Sequence, residues 1–383
     1  MNPARKIVEG LLQSADVHIG RGNKGDIYVH DERFYLRVLL QGSLGLGNSY
    51  MAGWWTCADL EEFFFKILSA RLDQKHVGFA QLVDSILSRF WNLQNARRAF
   101  IVGKEHYDLS PKLIWPMLGS SMAYSCSRKS MNSMSLDEGQ FAKLDNVCRK
   151  LGVVPGDTLL DIGCGWGSLM NVAAREYGAI CTGVTVSREQ AEYGRSWCKG
   201  LPVEFNVSDY RSITGCYMHL ASIGMFEHVG VKNYRTYFKT AARLLSDHPR
   251  SLFLLHTLAT DVSTTTCDPW ITRYIFPNGM LPSIAQISRA AEGFFVIEDV
   301  ENIGAYYHPT LMAWFGNFVS VWPVLRKDFS SWYKGKLKDP EVFYRMWEYY
   351  LKSCAAASRA RRIQVYQFVL SKRGYPGGYV RPG

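Results

Sequence analysis

No stretch of this sequence is apolar for long enough to cross a membrane. A spanning helix needs about 18 or more consecutive apolar residues, and no run in the 383-residue chain approaches that length. The first residues also lack the apolar core of a secretory signal. We therefore expect a protein that stays inside the cell.

Cysteine and histidine are too scattered to predict a metal site or a disulfide framework. The nine cysteines are odd in number, and neither they nor the nine histidines fall at metal-ligand spacing. Cysteines without partners fit a reducing cytosol. We expect no bound metal.

Acidic residues are fewer than basic ones. The 34 acidic against 44 basic residues leave a formal charge of +10, which indicates either an anionic partner or only a well-solvated basic exterior. Nucleic acid and an anionic membrane surface are the candidate partners. No recognisable RNA-binding module accompanies the charge, so we expect no nucleic acid. A hydrophobic content of 47% excludes an intrinsically disordered chain.

The hydrophobic pattern changes near residue 157. Residues 1–100 are predicted to form a small, mainly helical domain, with an extended segment at 26–29, a glycine-rich turn at 42–47 and helices near 60–72 and 79–93. Beyond residue 157, short apolar runs alternate with amphipathic helices, which predicts an α/β fold with a doubly wound, mostly parallel sheet. The predicted strands are 158–162, 180–184, 203–206, 220–223, 252–255, 294–297 and 363–370, with a helix at 342–357 before the last strand.

A glycine loop follows the first of these strands and precedes a helix. Residues 161–167 read Asp-Ile-Gly-Cys-Gly-Trp-Gly, and such glycines let backbone N–H groups and a helix N-terminus approach a ligand closely. A dinucleotide motif would need a third glycine where this chain has Ser168, and its ribose-binding acid is missing from 183–187. Asp161 can accept a hydrogen bond from a cationic amino-acid group. The loop resembles the first motif of class I S-adenosylmethionine-dependent methyltransferases, and a tight turn without a ligand is the alternative.

Further motifs extend the resemblance over nearly the whole chain. They are Tyr-Ser-Cys at 124–126, Met-Phe-Glu-His-Val-Gly at 225–230, Leu-Leu-His-Thr at 254–257, Asp-Pro-Trp at 268–270, Tyr-Ile-Phe-Pro-Asn-Gly at 274–279 and the segment 304–314. In this order they resemble the cyclopropane-fatty-acyl-phospholipid synthases. Segments 42–47 and 53–55 resemble the bacterial phospholipid type. The resemblance implies a lipid-binding domain at 1–100 and a catalytic domain at 101–383.

The resemblance also implies a reaction and a set of cofactor contacts. The family transfers a methylene group from S-adenosylmethionine to the cis double bond of unsaturated acyl chains in membrane phospholipids, and a cyclopropane ring forms. The residues that match the family's cofactor positions are Tyr124, Ser125, Asp161, Gly163, Gly165, Gly167, Thr185, Gln190 and Asp209. Thr185 and Gln190 match the ribose segment. Asp209 matches an adenine-edge segment, in which Ser208 is a departure from the usual pattern.

The chemistry needs a base, because ring closure removes a proton from the new methyl group. In the family this base is a bound bicarbonate ion. The resemblance implies that it is held by Glu227, His256, Tyr307, the backbone of Cys126 and the backbone amide of Leu258. We expect Glu227 to lie against His256 or to share a proton with the ion. Cys354 matches a cysteine that has been considered catalytic, although no step needs a thiolate and a buried helical cysteine is usually inert.

Aromatic side chains can stabilise positive charge on the acyl chain. The candidates, each of which can equally be a core residue, are Tyr274, Phe276, Tyr307 and Trp314.

Several residues depart from the family pattern, some of them beside the expected acyl channel, and they leave the acyl-chain preference open. They are Ser127, Arg128, Lys129, Pro111, Tyr306 and Ser358.

Two other functions stay open from the sequence alone. One is methyl transfer without ring closure, giving a methyl-branched lipid or a methylated amine. The other is a basic lipid- or RNA-binding protein built on a methyltransferase core that has lost its activity. We favour the cyclopropane synthase.

We expect a cytoplasmic homodimer bound peripherally to the inner face of the membrane, through apolar residues and a basic rim in the first domain. The candidate residues are Phe63, Phe64, Trp91, Arg89, Arg97 and Arg98.

Overall fold

The computed structural model describes residues 3–72, 111–128, 134–333 and 335–383. These residues fall into two compact units. The first comprises the described residues of Met1–Trp91 with Thr265–Pro277 and Leu311–Ile363. The second comprises those of Asn92–Thr264 with Asn278–Thr310 and Gln364–Gly383. The sequence boundary near residue 100 lies outside the described residues, so the division at 1–100 stays a prediction.

The elements follow one another along the chain in two stretches. Before residue 157 lie α1 (Pro3–Gln13), β1 (Ile27–Val29), α2 (Arg33–Met51), β2 (Trp55–Cys57), α3 (Leu60–Ser69), α4 (Pro111–Leu118) and α5 (Leu136–Leu151). After it come β3 (Thr158–Ile162), α6 (Ser168–Tyr177), β4 (Ile180–Thr185), α7 (Arg188–Trp197), β5 (Val203–Val207), β6 (His219–Ile223), α8 (Tyr234–Leu244) and β7 (Leu252–Thr260). The remainder is α9 (Pro269–Tyr274), α10 (Ile284–Ala291), β8 (Val296–Asn302), α11 (Tyr307–Lys327), α12 (Phe329–Trp332), α13 (Pro340–Arg359) and β9 (Ile363–Ser371).

Seven strands form one sheet in the order β5–β4–β3–β6–β7–β9–β8. Strands β3 to β7 pair in parallel, and β8 pairs antiparallel with β9. The chain leaves β3 in one direction to form β4 and β5, and then returns to place β6 on the other side of β3. Ligands bind at such a reversal, outside the carboxyl ends of the strands. The predicted doubly wound, mostly parallel sheet is confirmed.

Burial on both faces explains why the central strands read as short apolar runs. Leu160 and Ile162 of β3 pack into one hydrophobic cluster, while Leu159, the residue before Leu160, packs into a second cluster on the other face. The predicted limits of β3 agree with the structure. Strand β7 continues five residues beyond its predicted end, to Thr260. No helix in the described part of the chain has the length and hydropathy needed to span a bilayer.

The glycine-rich segment 42–47 is a helix, so the predicted turn is wrong. Helix α2 runs through it, with one non-helical residue at Gly42, where φ is 56°. A Cβ atom on Gly47 would lie 2.3 Å from Cδ1 of Trp270. Here glycine lets the Trp270 indole pack against a helix backbone, whereas clustered glycines more often indicate a turn.

The strand predicted near 26–29 is confirmed as β1, which pairs with β2. The helix predicted near 60–72 is confirmed as α3, although it ends at Ser69. The helix predicted near 79–93 lies outside the described residues.

The expectation that Phe63 and Phe64 face lipid is wrong. Phe63 is 0% exposed and Phe64 is 4% exposed. The Phe63 ring packs 5.1 Å from that of Trp55, and the Phe64 ring packs 4.9 Å from that of Tyr349. The other membrane candidates, Trp91, Arg89, Arg97 and Arg98, lie outside the described residues.

Candidate active site

The glycine loop after β3 has the backbone geometry that its sequence predicts. Gly163, Gly165 and Gly167 have φ values of 85°, 53° and 92°, in the left-handed region that favours glycine. A Cβ atom on Gly163 would meet Met225 at 2.5 Å, and one on Gly167 would meet Phe205 at 2.5 Å. A Cβ atom on Gly165 would have nothing within 4 Å. Gly165 is therefore the glycine of this loop that leaves open space for a ligand.

That open space belongs to a cavity of about 180 Å³ at the carboxyl ends of β3, β4 and β6. It lies where the strand order reverses, as expected for a ligand site in such a sheet. All of the predicted cofactor residues line it except Gly167, namely Tyr124, Ser125, Asp161, Gly163, Gly165, Thr185, Gln190 and Asp209. The structure thus brings together residues that are up to 85 positions apart, from Tyr124 to Asp209.

Two oppositely charged side chains line the buried end of the cavity. Asp161 is 3% exposed, and its Oδ1 atom has no hydrogen-bond partner among the described residues. Burial raises the pKa of Asp161 to about 7, although the charge of Lys143 opposes this. Burial lowers the pKa of Lys143 to about 8. A carboxylate with an unused oxygen fits the ammonium group of an amino-acid tail, and the nearby lysine fits its carboxylate.

Helix α5 positions the Tyr124–Ser125 segment, a role that was not predicted from the sequence. Lys143 Nζ donates to Ser125 Oγ at 2.9 Å, and Gln140 Nε2 donates to the Ser125 carbonyl at 2.9 Å. Both side chains lie on the buried face of α5, together with Lys150. Their spacing of three and seven residues is the signal that could have found them, because polar residues recurring on the apolar face of a helix need partners.

Thr185 and Gln190 lie side by side at the end of β4. The Thr185 hydroxyl donates to Gln190 Oε1 at 2.8 Å and accepts the backbone N–H of Ser187 at 3.2 Å. Ser187 caps helix α7 by accepting the N–H of Gln190 at 3.3 Å. This arrangement orients Gln190 with its amide nitrogen as the group that could donate to a ribose hydroxyl.

Asp209 lines the cavity, but its carboxylate is already paired. It accepts Arg211 Nε at 2.7 Å and Arg211 Nη2 at 2.7 Å, and it also accepts the backbone N–H of Arg211. The sequence did not indicate this bidentate pair. An adenine contact by Asp209 stays a prediction, and Ser208, Tyr210 and Arg211 also line this part of the cavity.

Glu227 is a buried carboxyl group just beyond the end of β6. Its Oε1 accepts the backbone N–H of Leu258 at 2.7 Å, and its Oε2 has no hydrogen-bond partner among the described residues. Burial raises the pKa of Glu227 to about 7, against the opposing effect of the Leu258 hydrogen bond. At neutral pH the group can therefore exchange a proton with a bound partner. The Leu258 amide, which we expected to contact an ion, orients Glu227 in this structure.

His256 lies on β7, two residues before Leu258, so the two side chains point to the same face of the sheet. The side chain of His256 is 2% exposed, and its Nδ1 is 3.2 Å from Gln367 Nε2. Among the described residues, its side-chain hydrogen bond is with Gln367, and it makes no hydrogen bond with Glu227. Burial, followed by the charges of Lys143 and Lys150, lowers the pKa of His256 well below its usual value. The ring is neutral at physiological pH.

Cys126 and Tyr307 are also buried in the second unit. The Cys126 thiol lies 3.8 Å from the carbonyl of Ile303, four residues before Tyr307, and burial raises its pKa to about 12. The next residue, Ser127, bonds to Thr310 through their hydroxyl groups at 2.8 Å. The structure therefore links the Tyr-Ser-Cys segment to the segment that begins α11, and separately links Glu227 to β7.

The remaining predicted residues lie in the first unit. Burial raises the pKa of Cys354 to about 12, so its thiol is protonated at neutral pH. Tyr274 donates its hydroxyl to Asn48 Oδ1 at 2.9 Å, and the Phe276 ring packs against Tyr350. Trp314 is fully buried. A role of these residues at the reacting atoms stays a prediction.

Two of the departures from the family pattern, Ser127 and Arg128, have hydrogen-bond partners in the structure. The hydroxyl of Ser127 bonds to that of Thr310. Arg128 donates to Asn146 Oδ1 at 2.9 Å and to Glu301 Oε2 at 3.0 Å. These partners hold its guanidinium, which the sequence placed beside the acyl channel. Tyr306 ends a short 3₁₀ turn, and Ser358 is buried on α13. The structure offers no reason for those two residues, the side chain of Pro111 is not described, and Lys129 lies outside the described residues.

Comparison with known proteins gives close matches. A family profile described as mycolic acid cyclopropane synthetase matches residues 94–368. The chain is 44% identical to the cyclopropane-fatty-acyl-phospholipid synthase of Escherichia coli (strain K12), over 97% of this chain and 94% of that protein. It is 31% identical to the tuberculostearic acid methyltransferase UfaA1 of Mycobacterium tuberculosis, over 89% of this chain and 81% of that protein. The mycolic acid cyclopropane synthase CmaA1, solved with SAH and CTAB, is similar with a TM-score of 0.62 and 29% identity, over 71% of this chain and 97% of that chain. The predicted class I methyltransferase fold is confirmed.

The open position of Gly165 generates a test of the cofactor site. Gly165→Val would place a side chain in the cavity and should weaken S-adenosylmethionine binding at least about tenfold, because the ligand and the side chain need the same space. Gly156→Val is the matched control, since Gly156 also has a positive φ, of 89°, and open space around it, but does not line the cavity. Both variants should lose about 1–2 kcal/mol of stability from backbone strain. Calorimetry should show weakened binding in the first variant alone, and equal affinities in the two folded variants would contradict the assignment.

Proposed function

The chain belongs to the mycolic acid cyclopropane synthetase family and is an S-adenosylmethionine-dependent methyltransferase, and from this premise we propose that it cyclopropanates the unsaturated acyl chains of membrane phospholipids. The observation that carries the proposal is the pairing of two features in the second unit. One is the cavity bordered by Asp161 and Gly165. The other is the buried Glu227, whose unpartnered Oε2 lies beyond the adjacent strand β6. The phospholipid type of substrate rests on the relative from Escherichia coli, which matches nearly the whole chain.

The residues at the buried end of the cavity fit the amino-acid tail of S-adenosylmethionine. Asp161 would accept its ammonium group, while Lys143 and Ser125 would face its carboxylate. Gly163 and Gly165 would lie under the tail, and Gln190 would donate to the ribose. When bound, S-adenosylmethionine supplies an electrophilic methyl group to an alkene that is itself a poor nucleophile.

The residues near Glu227 fit a small anion that serves as the base. We propose that the anion is bicarbonate, held by Glu227, His256, Tyr307 and the backbone of Cys126. Leu258 contributes by holding Glu227 Oε1, which leaves Oε2 to face the ion. A second negative charge nearby would raise the pKa of Glu227 further above 7. The carboxyl group would then be protonated and donate a hydrogen bond to the ion.

The reaction itself can be tested on vesicles that contain cis-unsaturated phospholipid. With methyl-labelled S-adenosylmethionine, we expect acyl chains that gain one methylene and carry the label in a cyclopropane ring. A methyl-branched chain would instead indicate methyl transfer without ring closure. That second function is kept because of the similarity to the tuberculostearic acid methyltransferase. A saturated branched product would need an added reductant, so an assay without one separates the two reactions.

The proposal that bicarbonate is the base can be tested separately. Removing dissolved carbonate should slow the wild-type reaction, and added bicarbonate should restore it. In Glu227→Gln, the amide oxygen can still accept the Leu258 N–H, and the amide nitrogen can donate where Glu227 Oε2 lies. This variant should keep measurable, bicarbonate-dependent turnover. Glu227→Ala removes a hydrogen bond to a buried ion and should lower turnover about 5- to 150-fold. S-adenosylmethionine affinity should be unchanged in both variants.

Two outcomes would overturn this assignment. Full activity in rigorously carbonate-free buffer would remove the need for the ion. If Glu227→Gln were as inactive as Glu227→Ala, Glu227 itself would be the base, because an amide cannot accept the proton. His256→Ala and Tyr307→Phe extend the series. Tyr307→Phe should lower turnover less than His256→Ala does, since it keeps the Tyr307 ring.

Membrane binding through the first domain needs a surface other than Phe63 and Phe64. We propose the exposed face of the first half of α2, on which Arg33, Leu36, Arg37 and Leu40 follow the i, i+3, i+4, i+7 spacing of one helix face. Leu36 is 52% exposed and Leu40 is 58% exposed. Both guanidinium groups lie over the Trp54 ring, at 4.5 and 4.8 Å. Exposed leucines beside stacked arginines match the apolar and anionic layers of a lipid surface.

Vesicle flotation can test this surface. Leu36→Asp with Leu40→Asp should abolish binding to anionic vesicles, because two apolar contacts are replaced by repulsive charges. Arg37→Gln should weaken binding and reduce its salt dependence, since one basic residue contributes about 1 kcal/mol near an anionic surface. Val154→Asp is the control, as this exposed valine lies in the second unit at the turn before β3. Salt-independent binding, or unchanged binding of the double variant, would contradict the proposal.

The lipid-binding assignment of residues 1–100 and a cytoplasmic homodimer at the inner face of the membrane belong to the same proposal. The α2 surface supports the lipid-binding role. The homodimer rests on no contact in the structure, and sedimentation equilibrium tests it directly.

A further inference from the structure

Three neighbouring strands place a row of polar side chains beside His256. The sheet order is β7–β9–β8, and the antiparallel register of β9 and β8 sets Gln367 directly opposite Glu301. Gln367 is 1% exposed, and Lys150 from α5 contacts both residues of this pair. Lys150 Nζ lies 2.5 Å from Glu301 Oε2 and 2.7 Å from Gln367 Oε1. A buried polar row of this kind is stable only when every donor meets an acceptor.

The direction of each hydrogen bond in this row follows from its first member. A lysine ammonium group can only donate, so the atom of Gln367 that faces Lys150 must be the oxygen. The amide nitrogen of Gln367 then faces His256 Nδ1, at 3.2 Å. An amide nitrogen also can only donate, so Nδ1 must accept and cannot carry a proton. We propose that Lys150 and Gln367 hold His256 as the tautomer protonated at Nε2.

The charge state of the row supports this reasoning. Burial alone would raise the pKa of Glu301, but the hydrogen bonds from Lys150 and Arg128 outweigh it and lower that pKa. Glu301 is therefore ionised. Burial lowers the pKa of Lys150, while the hydrogen bond and the charge of Glu301 oppose this and favour the ammonium form. Burial and the two nearby lysines keep the His256 ring neutral. A neutral ring that accepts at Nδ1 has its single proton on Nε2.

The tautomer decides what His256 can do at the site, and this consequence rests on the proposed function. With Nε2 protonated and Nδ1 occupied, neither nitrogen can take a proton from the substrate. His256 would therefore serve as a neutral hydrogen-bond donor to an anion, and the base must be another group. Lys150 and Gln367 are positioning residues, because they act on the reaction through His256.

Arg128 also contacts this row of polar side chains, through Glu301. Its guanidinium shares Glu301 Oε2 with Lys150 and is also held by Asn146. The residue that departs from the family pattern beside the Tyr-Ser-Cys segment thus helps to fix the acceptor that holds Lys150. Its side chain belongs to the support of His256.

The tautomer can be measured without any reaction. Protein labelled with ¹⁵N in histidine gives distinct ring-nitrogen signals for the two tautomers and the imidazolium, and comparison with His256→Gln identifies the signals of His256. We expect an Nε2-protonated, neutral ring in the wild-type protein without substrate. A ring protonated at Nδ1, or an even mixture of the two forms, would overturn the inference without any variant of the row.

Gln367→Glu tests the cause. A carboxylate at this position can still accept from Lys150, but it also accepts from His256 and should move the proton to Nδ1. The bicarbonate concentration needed for half-maximal rate should then rise roughly 10- to 100-fold, because Nε2 would face the ion as an acceptor. The KM for S-adenosylmethionine should be unchanged. An unchanged tautomer in a folded Gln367→Glu protein would show that Gln367 does not set it.

Gln364→Glu is the matched control on the same strand. Gln364 is an odd number of residues from Gln367, so its side chain lies on the other face of the sheet. It accepts Asn302 Nδ2 at 3.1 Å, a bond that a carboxylate would keep. The control should leave the His256 signals and the rate unchanged. If the tautomer is as expected but no cyclopropane lipid forms in any assay, the proposed function fails while the assignment of the tautomer stands.

Discussion

Burial of two lysines on one face of helix α5 is the constraint around which the site is built. Removing an ammonium group from water is costly unless it is paired or hydrogen-bonded. Lys143 donates a hydrogen bond to Ser125 beside the cofactor cavity, and Lys150 donates to Glu301 and Gln367. These hydrogen bonds offset the loss of hydration. The lysines lie seven residues apart, two turns of the helix. One helix thus connects the Tyr124–Ser125 segment to the strand residues that surround His256.

The parts of the fold that the sequence predicted are those set by short-range rules. Strands β3, β6 and β7 are buried on both faces, so each reads as an apolar run that differs from its surroundings. The edge strand β8 is half-buried or exposed, and it begins two residues later and ends five residues later than the predicted 294–297. The glycine loop requires left-handed backbone that few other residues adopt, and the structure has it at Gly163, Gly165 and Gly167. These features depend on a few neighbouring residues, which is why a single sequence suffices to find them.

The features that the sequence did not predict depend on side-chain contacts and rotamers that no local pattern encodes. Position 47 requires glycine because the Trp270 indole packs against its backbone, and no local pattern separates this use of glycine from a turn. Phe63 looks equally suited to lipid or to a core, and only its contact with Trp55 decides. The bidentate pairing of Asp209 was likewise hidden, because it depends on the rotamer of its neighbour Arg211.

The proposed anion site raises an electrostatic difficulty that the buried lysines resolve. A carboxylate at Glu227 would repel a second anion, and in a buried site neither charge is screened by water. Burial already raises the pKa of Glu227 to about 7, so protonation at neutral pH costs little. His256 adds a neutral N–H donor, since burial lowers its pKa and the positive charges of Lys143 and Lys150 lower it further. Two neutral donors in a positive field favour a small anion over a side-chain base. The lysine charges that add to burial in keeping His256 neutral are thus the same ones that would help bicarbonate to bind.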